Sequence, residues 1–113
     1  MKNALTVFAL LAMNFVFTSS SMADEHLADR HRKLQVKCAS CHGETKPFTA
    51  PKMDKCLSCH GGSYEKLASK TAHTHPNPHF THIGDKECSS CHKGHKESQL
   101  FCNDCHAFDV KVP

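Results

Sequence analysis

Cys38-Ala39-Ser40-Cys41-His42 sets a pattern that returns as Cys56-Leu57-Ser58-Cys59-His60, Cys88-Ser89-Ser90-Cys91-His92 and Cys102-Asn103-Asp104-Cys105-His106. All eight cysteines of the 113-residue chain fall inside these four segments. Cys-x-x-Cys-His is the attachment signature of c-type haem, and the chemistry explains the spacing. Two thiols separated by two residues can form thioethers to the two vinyl groups on one porphyrin edge. The histidine next in line then lies under the ring and ligates the iron. Disulfides are compatible with an exported chain, but they do not call for a histidine after every second cysteine. Structural zinc uses paired Cys-x-x-Cys units and has no need of that histidine either. The expectation is four covalently attached haems c.

The histidine supply agrees with that count. Of 11 histidines, His42, His60, His92 and His106 are the proximal ligands within the motifs. His26, His31, His73, His75, His79, His82 and His95 remain, more than enough to close four irons from the distal side. Met53 is the one other conventional distal candidate in the part of the chain kept after export. Ligation by two histidines throughout is expected, and it implies low potentials, because methionine is the ligand that raises them.

The motifs begin 18, 32 and 14 residues apart, so the chain is not a regular repeat array. The widest gap, 61–87, carries four of the spare histidines, and its Pro76, Pro78 and Gly84 favour loop over regular structure. Short helices are expected near 25–36, near 64–73 and just after each motif, and no significant sheet. His92 and His95 are three apart and would share one side of a helix. Two ligands of one iron must approach from opposite faces, so His95 is assigned to a neighbouring iron. The same reasoning sends His79 and His82 to different irons.

Upstream, Lys2 is the one charge before Asp24, and an apolar run from Ala4 to Phe17 leads into Thr18-Ser-Ser-Ser-Met-Ala23. A basic start, a short apolar middle and a small-residue end describe a secretory signal peptide, 1–23, cut after Ala23. The run falls short of the roughly 20 residues that span a bilayer, so no membrane insertion is expected. The mature domain, 24–113, then has a thin set of large apolar side chains with no sustained period. A domain of this size needs a staple or some other apolar mass. The expected fold is therefore mainly irregular with a few short α-helices, wrapped around a four-haem core.

Charge must be read with the cofactor in place. Removing Lys2 from the 14 Lys and Arg leaves 13 against 11 Asp and Glu, near +2. Four haems, each with two propionates and about one offsetting positive charge while ferric, take the total to about −2 when oxidised and about −6 when reduced. A nucleic-acid-binding protein is not indicated.

The motifs and the histidines around them resemble the periplasmic tetrahaem cytochromes, and among them the haem domain of the flavocytochrome c fumarate reductases. The likeness covers 27–113. It includes Leu27-Ala28-Asp29-Arg30-His31, His79-Phe80-Thr81-His82, His92-Lys93-Gly94-His95 and Cys102 through Asp109. It implies distal ligands at His31, His79, His82 and His95, leaving His26, His73 and His75 spare. In that family a flavin domain follows the haem domain. Here the sequence ends at Pro113 without a dinucleotide-binding glycine pattern, so reductase chemistry is not expected in this chain. The expected role is a periplasmic electron carrier, with no catalytic residues, acting as a monomer or in transient complexes. It would pass electrons from a membrane quinol-oxidising cytochrome to a flavin-containing or other terminal reductase. The alternative is an electron-donor haem subunit of a separately encoded flavin reductase. Catalysis at a haem would need an iron with an open face, and storage of haem or metal would need more than exposed histidines.

Overall fold

The computed structural model describes residues 25–113. The signal-peptide assignment, 1–23, lies outside the described residues. Four short helices come first: α1 (Leu27–Lys33), α2 (Cys38–His42), α3 (Met53–Leu57) and α4 (Tyr64–Lys70). Two single 3-10 turns follow, Cys88–Ser90 and Phe101–Asp104. The rest is loop and turn, with no strand among the described residues.

The two longest helices fall where the sequence placed them, inside 25–36 and 64–73. In α1, Asp29 accepts the backbone N–H of His26 at 3.2 Å, and Arg30, His31, Arg32 and Lys33 crowd the last turn. Acid at the start and base at the end both suit the helix dipole. Seven residues cannot hold a helix in water by themselves. A backbone bond from Ala28 N–H to Gly94 O, 2.8 Å, ties α1 to the loop after the third motif.

In α4, Ser63 caps the start by accepting the N–H of Lys66 at 3.2 Å, a bond worth about 1 kcal/mol. Tyr64 and Ala68, four apart on one face, are the buried hydrophobic residues among those described. So small a buried set matches the thin apolar content of the sequence. It leaves the described chain short of the core that a domain this size requires.

Helices expected just after each motif are not found; the helical turns lie on the motifs or run into them. In three motifs the histidine N–H reaches back to the carbonyl of the first cysteine: His60 to Cys56 (3.0 Å), His92 to Cys88 (2.8 Å) and His106 to Cys102 (2.9 Å). In the first, α2 itself spans Cys38–His42. Positions i, i+3 and i+4 of a helical turn share a face, so the spacing Cys-x-x-Cys-His itself calls for a turn at the motif. After the first two motifs the chain leaves the helix through glycines at positive φ, Gly43 (76°) and Gly61 (101°), where other residues are strained.

The motifs are also knitted together. α3 packs against α2 on one side and against the turn at Cys88–Ser90 on the other. Glu87, just ahead of the third motif, accepts the N–H of Met53 at the start of α3 (2.9 Å). Between the last two motifs, the N–H of Phe101 donates to Cys91 Sγ (3.3 Å) and that of Gln99 to Cys91 O (3.1 Å).

Candidate functional site

Each motif histidine faces one histidine from outside the motifs. The ring centroids lie 6.0 Å apart for His42 and His95, 6.0 Å for His60 and His31, 6.3 Å for His92 and His79, and 6.1 Å for His106 and His82. These separations have a chemical meaning. A metal–imidazole bond runs about 2.0–2.1 Å, and the ligating nitrogen stands roughly 1 Å from the centre of its own ring. Two imidazoles facing across one metal ion therefore place their centroids about 6 Å apart.

The partners drawn in are His31, His79, His82 and His95, the four that the resemblance implied. His26, His73 and His75 stand outside the four pairs. His95 lies against His42 rather than His92, and His79 and His82 go to different motifs, as the opposite-face reasoning required. Its helical premise fails, however, because the chain from His92 to His95 is not helical. Gly94 O, held by the Ala28 N–H, lies in the short stretch that separates the two rings.

Hydrogen bonds orient several of the rings. His31 Nδ1 donates to Leu27 O at 2.9 Å and His42 Nδ1 to Thr49 O at 2.7 Å. A carbonyl can only accept, so Nδ1 carries the proton in both and Nε2 is left with its lone pair. His79 Nδ1 lies 3.1 Å from Thr71 Oγ1. Such partners fix both the tautomer and the orientation of a metal-binding imidazole.

Electrostatics favours the neutral form that ligation requires. Burial pushes His79 below the usual histidine range, and repulsion from His92 adds to it. His92 is lowered chiefly by burial, partly opposed by a hydrogen bond to the Pro113 backbone, with Arg30 and His60 lowering it further. Phe48 stacks on His42 (5.4 Å) and Phe108 on His106 (4.7 Å).

The cysteines are all free thiols, with no disulfide among the described residues. Burial raises the Cys41 thiol, and it pushes Cys88 up to about 11, helped by the neighbouring Cys56. Among the described residues, no group of three or more His, Cys, Asp or Glu converges as a bare metal ion needs. Haem iron asks only two imidazoles of the protein, and each of the four ring pairs offers two.

The fourth motif adds a test of shape. His82, His106, Cys102 and Cys105 line one largely apolar cavity of about 410 Å³, together with Phe80 and Pro78 among others. Cofactor sites typically span about 300–1,000 Å³. Both histidines of this pair and both thiols of this motif thus border one apolar space, and the residues fit haem c.

Thr71, Asn77, Thr49 and Leu27 escaped the sequence reading. Two act through backbone carbonyls, which any residue supplies. Thr71 and Asn77 meet His79 only in the folded chain.

Comparison with known proteins agrees with this geometry. The family model described as Cytochrome c3 matches residues 30–107. A probable fumarate reductase, Ifc3, of Shewanella frigidimarina is 43% identical over 85 residues, covering 75% of this chain and 11% of that protein. The cytochrome c-type protein Cgr1 of Eggerthella lenta is 39% identical over 49 residues, covering 43% of this chain and 22% of that protein. The chain therefore spans only a small part of the length of either relative.

Proposed function

This chain belongs to the cytochrome c3 family, whose domain is an electron carrier, and from that premise we propose a periplasmic electron-transfer protein holding four haems c. Each iron would take two histidines: His42 with His95, His60 with His31, His92 with His79, and His106 with His82. The observation that carries this reading is the common spacing of the four ring pairs, 6.0–6.3 Å, each joining one motif histidine to one other. Haem c held in these places supplies a one-electron couple, and two imidazoles without methionine keep its potential low.

The chain's own residues position and insulate. The cysteine pairs would anchor the four groups, and the packing of α3 against α2 and against the turn at Cys88–Ser90 keeps the first three motifs adjacent. Hydrogen bonds at Nδ1 of His31, His42 and His79 aim the opposite nitrogen at the metal. With a motif histidine and its paired histidine both holding the iron, no face would be left open for a substrate. Electron transfer rather than catalysis follows from that.

The route of electrons proposed here runs from a membrane quinol-oxidising cytochrome to a terminal reductase in anaerobic respiration. Among the described residues no helix is long and apolar enough to cross a membrane. The likeness to a probable fumarate reductase supports a second version, in which the chain is the electron-donor haem subunit of a separately encoded flavin reductase. Mass spectrometry of protein made in a host competent for cytochrome maturation tests the core of the proposal. A chain beginning near Asp24 and carrying four haems is expected; colourless, disulfide-bonded material overturns it. Carbon monoxide added to the reduced protein should cause no fast spectral change.

A further inference from the structure

His79 and His82 leave the same loop three residues apart, yet their rings are held in different ways. His79 lies almost parallel to its partner His92, with 4° between the planes, while His82 crosses His106 at 81°. The other two sites repeat the contrast: 13° for His42 and His95, 61° for His31 and His60.

What distinguishes His79 is a side-chain bridge from the end of α4. Thr71 Oγ1 lies 2.8 Å from Asn77 Oδ1 and 3.1 Å from His79 Nδ1, with Leu67 O at 3.1 Å and Ala68 O at 3.3 Å. The His79 N–H donates to Asn77 Oδ1 (3.1 Å), and Asn77 Nδ2 donates to Ala68 O (2.8 Å). The Asn77 amide is thereby oriented, with oxygen toward His79 and nitrogen toward α4. A hydroxyl has one proton and two lone pairs. Its shortest contact sends that proton to Asn77 Oδ1, leaving a lone pair to accept from His79 Nδ1. Donation in one direction strengthens acceptance in the other. Tyr64, buried, meets the same imidazole edge-on at 5.9 Å.

We propose that Thr71 is a positioning residue for the third site: its hydroxyl, relayed to Asn77, holds His79 parallel to His92. The sites then fall into two electronic classes, parallel at the first and third motifs and crossed at the second and fourth. The proposal rests on the two-histidine reading above. Each imidazole interacts with the iron d orbital that its ring plane selects. Parallel rings act on the same orbital and separate it in energy from its twin, whereas crossed rings act on one each and leave the two nearly equal. Separation stabilises the ferric state, as does a hydrogen bond that makes the ligand more basic. The first and third sites should accordingly be harder to reduce than the second and fourth.

Electron paramagnetic resonance of the fully oxidised holoprotein, with a spectroelectrochemical titration, tests this on wild type, Thr71→Val and Thr71→Ser. The wild type should contain low-spin iron of both kinds, moderately and strongly anisotropic. Thr71→Val keeps the shape and loses the hydroxyl. It should convert one moderate signal to the strong class and raise one midpoint potential of the four. The expected change is on the order of tenfold in the oxidised-to-reduced ratio, about 59 mV for a one-electron couple. Thr71→Ser should restore both. A Thr71→Val spectrum and titration superimposable on the wild type overturns the role of Thr71, and a wild type with one class of low-spin iron overturns the two-class pattern. High-spin iron or a methionine–iron band in the wild type would instead break the two-histidine reading itself. Should Thr71→Val fail to assemble, Asn77→Ala removes the relay while leaving the hydroxyl, and a smaller shift of the same sign is expected; no shift overturns the relay.

Discussion

The four Cys-x-x-Cys-His segments and the segment from Thr71 to Gly84, which reaches the third and fourth sites, present imidazoles by opposite means. In the motifs a single helical turn does the work. The histidine N–H closes on the carbonyl four residues back at 2.8–3.0 Å in the second, third and fourth motifs, and thiols and ring share a face. Between 71 and 84 there is no helix, and side chains take over: Asn77 and Thr71 bind His79, while Thr81 Oγ1 donates to Gly84 O at 3.0 Å. Local geometry repeated four times survives a change of surroundings. Geometry assembled from distant side chains holds only where those side chains meet.

The largest effect should come from breaking the local device. Replacing Cys56 and Cys59 together by alanine removes one attachment point, at the end of the helix that packs against both neighbouring motifs. Loss of one haem by mass, accompanied by loss of the folded domain in circular dichroism, is the expected outcome. Breaking the other device should be milder in structure and sharper in chemistry. His82→Ala should keep all four haems, since anchoring lies with the cysteines, but open one iron to an external ligand. Carbon monoxide binding to a quarter of the reduced haem measures it. Four haems with no carbon monoxide binding would place the partner of His106 elsewhere.

The same contrast governs what could be read before the structure. The attachment residues and proximal histidines follow from five-residue spacing, because the chemistry imposes it. The thin core followed from composition, and only Tyr64 and Ala68 are buried hydrophobics among the described residues. Placing helices after the motifs missed because the i, i+3, i+4 requirement lies within the motif, and Gly43 and Gly61 then end the turn. Opposite-face reasoning set His95 apart from His92 and His79 from His82, and the rings do lie in different pairs, although the helix it assumed between His92 and His95 is not formed. Which iron each would reach was not legible, since that depends on contacts such as Ala28 with Gly94, 66 residues apart in sequence and 2.8 Å apart in space. The bridge through Thr71 and Asn77 has no local signature, so its part in setting a ring angle could not be seen.

Asn77 sharpens the comparison on the loop side. Its side chain takes part in three hydrogen bonds, with Thr71, the His79 N–H and Ala68 O. At about 1 kcal/mol each, Asn77→Ala should lower stability by about 2–3 kcal/mol, seen as a fall in the denaturant midpoint. Disturbance should centre on the third site. A uniform change at all four would mean that the loop acts on the whole domain.

Glu87 is the counterpart on the motif side, and the effect there should be the smallest. Its carboxylate accepts one bond, from the N–H of Met53 at 2.9 Å, in an exposed position. Exposure allows water to replace a lost partner, so Glu87→Ala should cost only about 1 kcal/mol, at the modest end for a bond to a charged group. Glu87→Gln, which keeps an acceptor oxygen, should cost less still. Both motifs that Glu87 joins retain their own backbone closure, His60 to Cys56 and His92 to Cys88. The angles at His60 with His31 and at His92 with His79 should therefore persist, and the resonance spectrum of Glu87→Ala should match the wild type. A spectrum altered at the second or third site would show that the motif turn is not sufficient, and that a proximal ring, like His79, depends on a side chain outside its own turn for its orientation.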